Sequence, residues 1–446
     1  METTVQRLRY VLEVLAPAVA SKNVTLPILK NVVVGQGRAY AMNLATAVSV
    51  EMPEATDDPA VLPHGQLLNL LKNIPGPTRL TINREGQMVK LAAGATTAEF
   101  PLPGEVADFP PLPELQPAGQ GQVDGDLFLK TATALAEYAA TDASRPVLQC
   151  VCIALGDPLE MASADGFRLA WQTIPMVLPA PNGTLKQLLL PTAAVDALAR
   201  VWKVMEKQPT VDAPDGSDPL KQDGSFRMAM LAVAKRMATL KFTPAALSFH
   251  HGAVTIHVRL AEGEFPNYHQ LIPTDLPHKV SFDAEAALRA IRSLQDVASE
   301  GSGIVRLSWT DNTLTFYARS EESANISANV RAHSQGGGGK IAFDIRYLTG
   351  YLAGKMGMVL LETSEPKTPG RLFCSGNPDV LLMPMYVQWD GSPTTEPAAD
   401  QPADEEAPGE PVASGAASPN GTEEPETPAE PAPAAAKPRA RARRRK

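Results

Sequence analysis

The sequence predicts an α+β fold made of three similar units, each combining mostly antiparallel sheet with a pair of helices. Three observations predict it. Two kinds of amphipathic helix recur along the chain, apolar strand-like runs lie between them, and one Phe-Pro-containing closing segment appears twice. The repeat is spaced by roughly 120 and then roughly 155 residues, too long for a solenoid and suited to whole domains.

The first helix is predicted from Thr3 to about Leu15, where Val5, Leu8, Leu12 and Leu15 follow the three-and-four spacing of one buried face. Arg7 and Arg9 fall off that stripe. Leu26-Pro27-Ile28-Leu29 comes next, then a strand from Asn31 to Val34, a reverse turn near Gly35-Gln36-Gly37 and a second apolar strand. Leu62-Pro63 opens a second helix whose face is Leu67, Leu70 and Leu71; proline at or near a helix start loses only an N–H that would be unpaired anyway. Strands follow at Arg79 to Ile82 and Met88 to Ala92, and the unit closes with Phe100 to Pro113.

Helices of the first kind recur at Leu127 to Ala140 and at Asp283 to Ala298, the latter with Leu288, Ile291 and Leu294 on its stripe. The second kind recurs with matching offsets. Counted from Pro63, Pro191 and Asp344, the fourth residue on is Leu67, Val195 and Leu348, and the eighth is Leu71, Ala199 and Leu352. The closing segment has its counterpart in Leu260 to Pro273. Strand runs from Ile304 to Trp309 and Leu314 to Ala318 flank a turn at Asp311-Asn312. The predicted boundaries are 1–121, 122–275 and 276–390, with an insertion over about 206–237 in the second unit. From 391 to 446 the chain is rich in Pro, Ala, Glu and Thr and ends in a basic run, which predicts a disordered tail.

The 446 residues carry a formal net charge of -9, which argues against a surface that coats nucleic acid everywhere. From Gly391 onward ten acidic residues stand against seven basic ones, leaving the preceding body at -6. A local basic lining remains compatible with that balance. The N-terminus carries Glu2, Arg7 and Arg9 where a signal peptide needs an apolar centre, and no apolar run reaches membrane-spanning length, so a cytoplasmic location is expected. Cys150 and Cys152 fall on one face of a strand, and with Cys374 they are expected as buried thiols, not as metal ligands. The histidines are scattered, and neither a Gly-x-Ser-x-Gly elbow nor a phosphate loop occurs. No metal, cofactor or catalytic residue is predicted.

The stretch from Met161 to Trp171 is predicted as a hairpin with a tight turn centred on Asp165-Gly166. Asp165 with Arg168 nearby suggests a catalytic acid, but no second carboxylate or nucleophile accompanies it in sequence. A hydrolase using Asp165 is therefore a minor reading.

Taken together, the triplicated unit, Leu26-Pro27-Ile28-Leu29, Ser144-Arg145-Pro146-Val147-Leu148, Ala164-Asp165-Gly166-Phe167-Arg168-Leu169-Ala170, Glu262-Gly263-Glu264-Phe265-Pro266-Asn267-Tyr268 and Leu382-Met383-Pro384-Met385 resemble the bacterial sliding clamp, the beta subunit of the replicative DNA polymerase. The resemblance covers about Met1 to Val387. It implies a DNA clamp fold and a homodimer joined head to tail into a ring around duplex DNA, bound through phosphates without base readout. The helices would line the hole, with Lys22, Lys72, Arg145, Lys203, Arg289 and Arg292 as DNA-facing candidates.

The resemblance also implies a pocket between the second and third units. It would take short apolar peptide motifs of the replicative polymerase, the clamp loader and repair proteins. Its residues would be Leu148, Ala164, Gly166, Phe167, Arg168, Leu169, Pro266, Leu271, Leu381, Met383, Pro384 and Met385. Phe167, Ala164 and Tyr386 depart from the family's usual residues, which alters the expected motif preference. Asp296, beside Val297, is expected at the subunit interface. The different-class alternative is an adaptor of the same fold that docks peptides without encircling DNA.

Overall fold

The computed structural model describes residues 1–20, 24, 26–55, 58–179, 185–207, 236–320 and 325–389. Lys22, most of the predicted insertion and the predicted tail lie outside the described residues.

The first unit runs β1 (Glu2–Thr4), α1 (Val5–Leu15), β2 (Val32–Gly35), β3 (Arg38–Met42), β4 (Thr46–Glu51), β5 (Ala60–Leu62), α2 (His64–Leu71), β6 (Arg79–Glu85), β7 (Met88–Ala93) and β8 (Thr96–Pro101). The second runs β9 (Gly119–Asp124), α3 (Gly125–Ala136), β10 (Cys150–Ala154), β11 (Leu159–Ala164), β12 (Arg168–Ile174), β13 (Gln187–Pro191), α4 (Thr192–Glu206), β14 (Met237–Phe242), β15 (Ala246–His251) and β16 (Val254–Arg259). The third runs β17 (His278–Asp283), α5 (Ala284–Glu300), β18 (Ile304–Thr310), β19 (Thr313–Arg319), β20 (Asn325–Gln335), β21 (Gly339–Asp344), α6 (Ile345–Leu352), β22 (Met358–Thr363), β23 (Gly370–Cys374) and β24 (Asp379–Leu382).

Strand order repeats with the units. In each, the first, sixth, seventh and eighth strands follow one another in one ladder, and the fifth, second, third and fourth in another, all antiparallel. The units join edge to edge through the same pair of positions. The fourth strand of unit one pairs with the eighth of unit two, β4 on β16 with Val48 opposite Ile256. The fourth strand of unit two pairs with the eighth of unit three, β12 on β24 with Leu169 opposite Leu381. In unit three, β20 also reaches β17 over Ala332–Gln335.

Local chemistry explains the helix starts. Thr4, Asp124, Asp283 and Asp344 cap α1, α3, α5 and α6 by accepting backbone N–H groups, while Pro63 and Pro191 precede α2 and α4. The third predicted helix therefore begins two residues early, at Gly125, because Asp124 caps it, and it ends at Ala136 instead of Ala140. The apolar stripe of α5, including Ile291 and Leu294, is buried against α6 and β18–β20. Each such leucine or isoleucine stabilises the fold by about 1.5–3 kcal/mol. α1 packs on α2 and also on α4, and α3 packs on α4, so helices continue the joint that β4 and β16 make.

Candidate functional site

The β11–β12 hairpin has a tight turn, centred one residue later than the sequence reading placed it. The Asp165 N–H donates to the Arg168 carbonyl at 3.1 Å, so Gly166 and Phe167 occupy the bend. The correction has a simple cause. As acceptor Asp165 uses its side chain instead of its carbonyl: Oδ1 accepts the N–H groups of Phe167 at 2.9 Å and Arg168 at 2.8 Å, and Oδ2 accepts Arg168 Nε at 2.9 Å. Asp165 is thus a turn builder whose carboxylate is already occupied. Gly166 has φ +95, which disfavours side chains, and a methyl there would lie 2.8 Å from Arg145 Nη1.

Arg168 is held on all sides. Its guanidinium lies 4.7 Å from the centroid of the Tyr347 ring and 5.1 Å from that of Tyr138, and Nη2 donates to the Glu137 carbonyl at 3.2 Å. Burial pushes the Tyr138 hydroxyl up to about 12, so it stays neutral beside the cation. Phe167 stacks on Tyr347 with ring centroids 5.9 Å apart, yet remains 53% exposed.

The third wall is the chain after β24. The Met383 N–H donates to the Phe167 carbonyl at 2.9 Å and the Met385 N–H to the Ala342 carbonyl at 2.8 Å. Leu148, Ala164, Leu169 and Leu381 meet in one apolar cluster with Cys150, Cys152, Phe265 and Tyr268. Tyr268 donates to Glu160 Oε1, which also lies 2.9 Å from His269 Nε2, fastening the closing segment to β11. Pro266 and Leu271 on that segment are exposed, and Met383 is 47% exposed, while Pro384 and Met385 are half-buried. The structure therefore brings three distant stretches together in one apolar cluster, and Phe167, Leu271 and Met383 are exposed apolar side chains along them.

The cationic candidates divide. Lys72 caps the end of α2, Lys203 lies in the last turn of α4, and Arg289 and Arg292 lie on α5, all exposed. Arg289 Nη1 is 3.8 Å from Glu285 Oε2. Arg145 instead stands beside the Gly166 bend, and Lys22 lies outside the described residues. Sequence reasoning missed Tyr347 and Tyr138, although Tyr347 sits one residue before the Leu348 that the helix repeat singled out. Burial raises the Cys150 thiol to about 11 and the Cys152 thiol to about 12, as suits inert core sulfur. Among the described residues no group of three His, Cys, Asp or Glu side chains is placed to hold a metal ion. No described helix is long and apolar enough to cross a membrane.

Three repeats joined through one recurring strand pairing, with an aromatic and methionine-lined surface at a joint, define a clamp-fold protein. Residues 269–356 match the family model of the DNA polymerase III beta subunit, C-terminal domain. The chain is 22% identical over 387 residues to the beta sliding clamp of Caulobacter vibrioides, covering 83% of this chain and 95% of the relative. It is 26% identical over 312 residues to that of Streptomyces coelicolor, covering 70% and 75%. The crystal structure of the DNA polymerase III subunit beta from Pseudomonas aeruginosa superposes with a TM-score of 0.71 at 19% identity, covering 86% of this chain and 99% of that one. The clamp from the same organism bound to griselimycin gives 0.71 at 19% identity, covering 87% and 99%. Over most of its length the chain is similar to the DNA polymerase III beta subunits, the bacterial sliding clamps.

Proposed function

We propose that the chain acts as a DNA sliding clamp, a processivity factor that closes as a head-to-tail homodimer around duplex DNA. One observation carries the reading. Both joints within the chain pair a fourth strand with an eighth strand, and the chain leaves one strand of each kind at an end: β8 of unit one and β20 of unit three. Among the described residues β8 is paired only with β7, and the first half of β20 only with β19. Two copies joined β8 to β20 would repeat the same joint twice and close a ring of six units in which neither of these two edges stays open.

In this reading the domains are 1–118, 119–275 and 276–390, the first boundary falling three residues before the expected one because β9 starts at Gly119 and pairs with β14. Lys72, Lys203, Arg289 and Arg292 would meet phosphates without reading bases, which permits sliding. The surface around Phe167, Leu271 and Met383, with Leu148, Ala164, Gly166, Arg168, Leu169, Pro266, Leu381, Pro384 and Met385 behind it, would dock apolar peptide motifs of the polymerase, the clamp loader and repair proteins. The protein would act in the cytoplasm by tethering and not by catalysis.

The test is retention on nicked circular duplex DNA, combined with mass measurement at micromolar concentration. A dimer that stays on the circle and is lost when the circle is linearised is expected. A stable monomer, or peptide binding without topological retention, would instead fit an adaptor of the same fold.

A further inference from the structure

The joint between units one and two repeats the turn and strand-end backbone bonds of the joint between units two and three. At one, the Asp165 N–H donates to the Arg168 carbonyl at 3.1 Å; at the other, the Asn43 N–H donates to the Thr46 carbonyl at 3.0 Å. Asn43 Oδ1 accepts the N–H groups of Ala45 and Thr46 at 3.2 and 2.9 Å, as Asp165 does for Phe167 and Arg168. Leu44 even shares the left-handed backbone of Gly166, with φ 73. The outgoing strand is fastened the same way. The Arg259 N–H donates to the Ala45 carbonyl at 2.9 Å and the Ala261 N–H to the Leu189 carbonyl at 2.9 Å, the counterparts of Met383 on Phe167 and Met385 on Ala342.

The backbone frame is shared and the side chains are not. Register places Ala45 where the other joint has Phe167, Ala194 where it has Tyr347, and Arg259 where it has Met383. Removing two rings leaves space: a cavity of about 160 Å³ lies there, lined by Pro17, Ala45, Ala194, Asp196, Arg200 and Arg259 among others. Arg200 Nε is committed to Asp196 Oδ1 at 3.1 Å. Arg259 is exposed and has no carboxylate in salt-bridge reach among the described residues. The two arginines outnumber the one aspartate, so the cavity favours an anion small enough to enter it.

We infer that the joint between units one and two is a second peptide-docking site, which takes an extended partner segment and seats a carboxylate side chain beside Arg259. A peptide fits better than a nucleic-acid backbone because the twin frame offers the strand-end and turn geometry of the apolar joint. The inference rests on the apolar joint being a peptide pocket, as proposed above.

The experiment is hydrogen exchange on the full chain at millimolar concentrations of two capped pentapeptides of alanine and leucine, one with a central glutamate and one with a central lysine. The glutamate peptide is expected to slow exchange severalfold at residues 43–46 and 259–261, the lysine peptide to leave them unchanged, and Arg259→Glu to reverse that preference. Protection confined to residues 165–168 and 383–385 would overturn this inference and leave the apolar pocket standing. Protection of 43–46 by a DNA duplex but by neither peptide, or by raising protein concentration alone, would overturn it in favour of a phosphate or a second copy. No protection at either joint would remove both readings.

Discussion

The ring of Phe167 lies on that of Tyr347, centroids 5.9 Å apart and planes 26° apart, and so ties the β11–β12 turn to α6 across the joint between units two and three. Stacked aromatic pairs are worth about 0.5–1.5 kcal/mol beyond their burial. Phe167→Ala is therefore expected to weaken binding of an apolar partner peptide about 3–10-fold by titration calorimetry, with the solution mass unchanged. Unchanged affinity would remove Phe167 from the docking surface.

Arg168 fills the gap between Tyr138 and Tyr347 as a flat cation bonded to Asp165 and to the Glu137 carbonyl. Arg168→Ala should lower peptide affinity while leaving DNA retention intact. Arg168→Lys should not restore it, since an ammonium cannot lie flat between two rings and donate sideways as well. Full recovery with lysine would mean that charge alone matters there.

At Gly166 two costs coincide, the positive φ and the approach of Arg145. Gly166→Ala should lower stability by about 1–3 kcal/mol, read as a fall in the denaturant midpoint. Combining it with Arg145→Ala should recover the part owed to crowding and none of the part owed to φ. Strict additivity of the two changes would refute the contact.

Successive N–H groups of a strand point to opposite edges, so Thr97→Pro and Ala98→Pro in β8 probe its two sides separately. One should cut a bond to β7 and reduce stability. The other should leave the melting profile intact and convert the dimer to a monomer by light scattering. Two dimeric variants would sink the proposed pairing of β8 with β20.

His257 lies on β16, the strand that carries the first joint, with Nδ1 in hydrogen-bond contact with Ser248 Oγ and its ring beside His250. Burial, and then the charge of His250, lowers its pKa from 6.5 to about 4. Above the upper value neither folded nor unfolded chain protonates it. Between the two values the unfolded chain takes the proton and the folded chain does not, so stability falls as pH drops through that window and levels off below it. His257→Gln should flatten that part of the stability profile; an unchanged slope would assign it to other groups.

The repeat was legible because it is written in helix faces: Leu67, Val195 and Leu348 keep one offset, and burial of all three follows. Strand runs such as Leu314 to Ala318 were legible from alternation, and β19 buries Leu314, Phe316 and Ala318 on one side. The joints were not legible. Which strand edges meet depends on backbone bonds, and nothing in the side chains of β4 or β16 names the partner. The Asp165 turn falls one residue later than the dipeptide predicts because the Asp165 carboxylate substitutes for its carbonyl as acceptor, a choice that the dipeptide alone does not encode. Tyr347 was overlooked for a similar reason, since it lies off the buried stripe of α6 and becomes part of the site only when the hairpin of another unit arrives.

The recurring joint also has a thermodynamic asymmetry. At the two joints inside one chain the partner strands are connected through the polypeptide, so each sees the other at a high effective concentration that dilution cannot change. A β8–β20 contact between copies has no such connection, and its occupancy would depend on how much protein is present. The same hydrogen-bonding pattern would thus yield two durable seams and one that yields to mass action, and in the proposed ring that intermolecular seam would be the first to part.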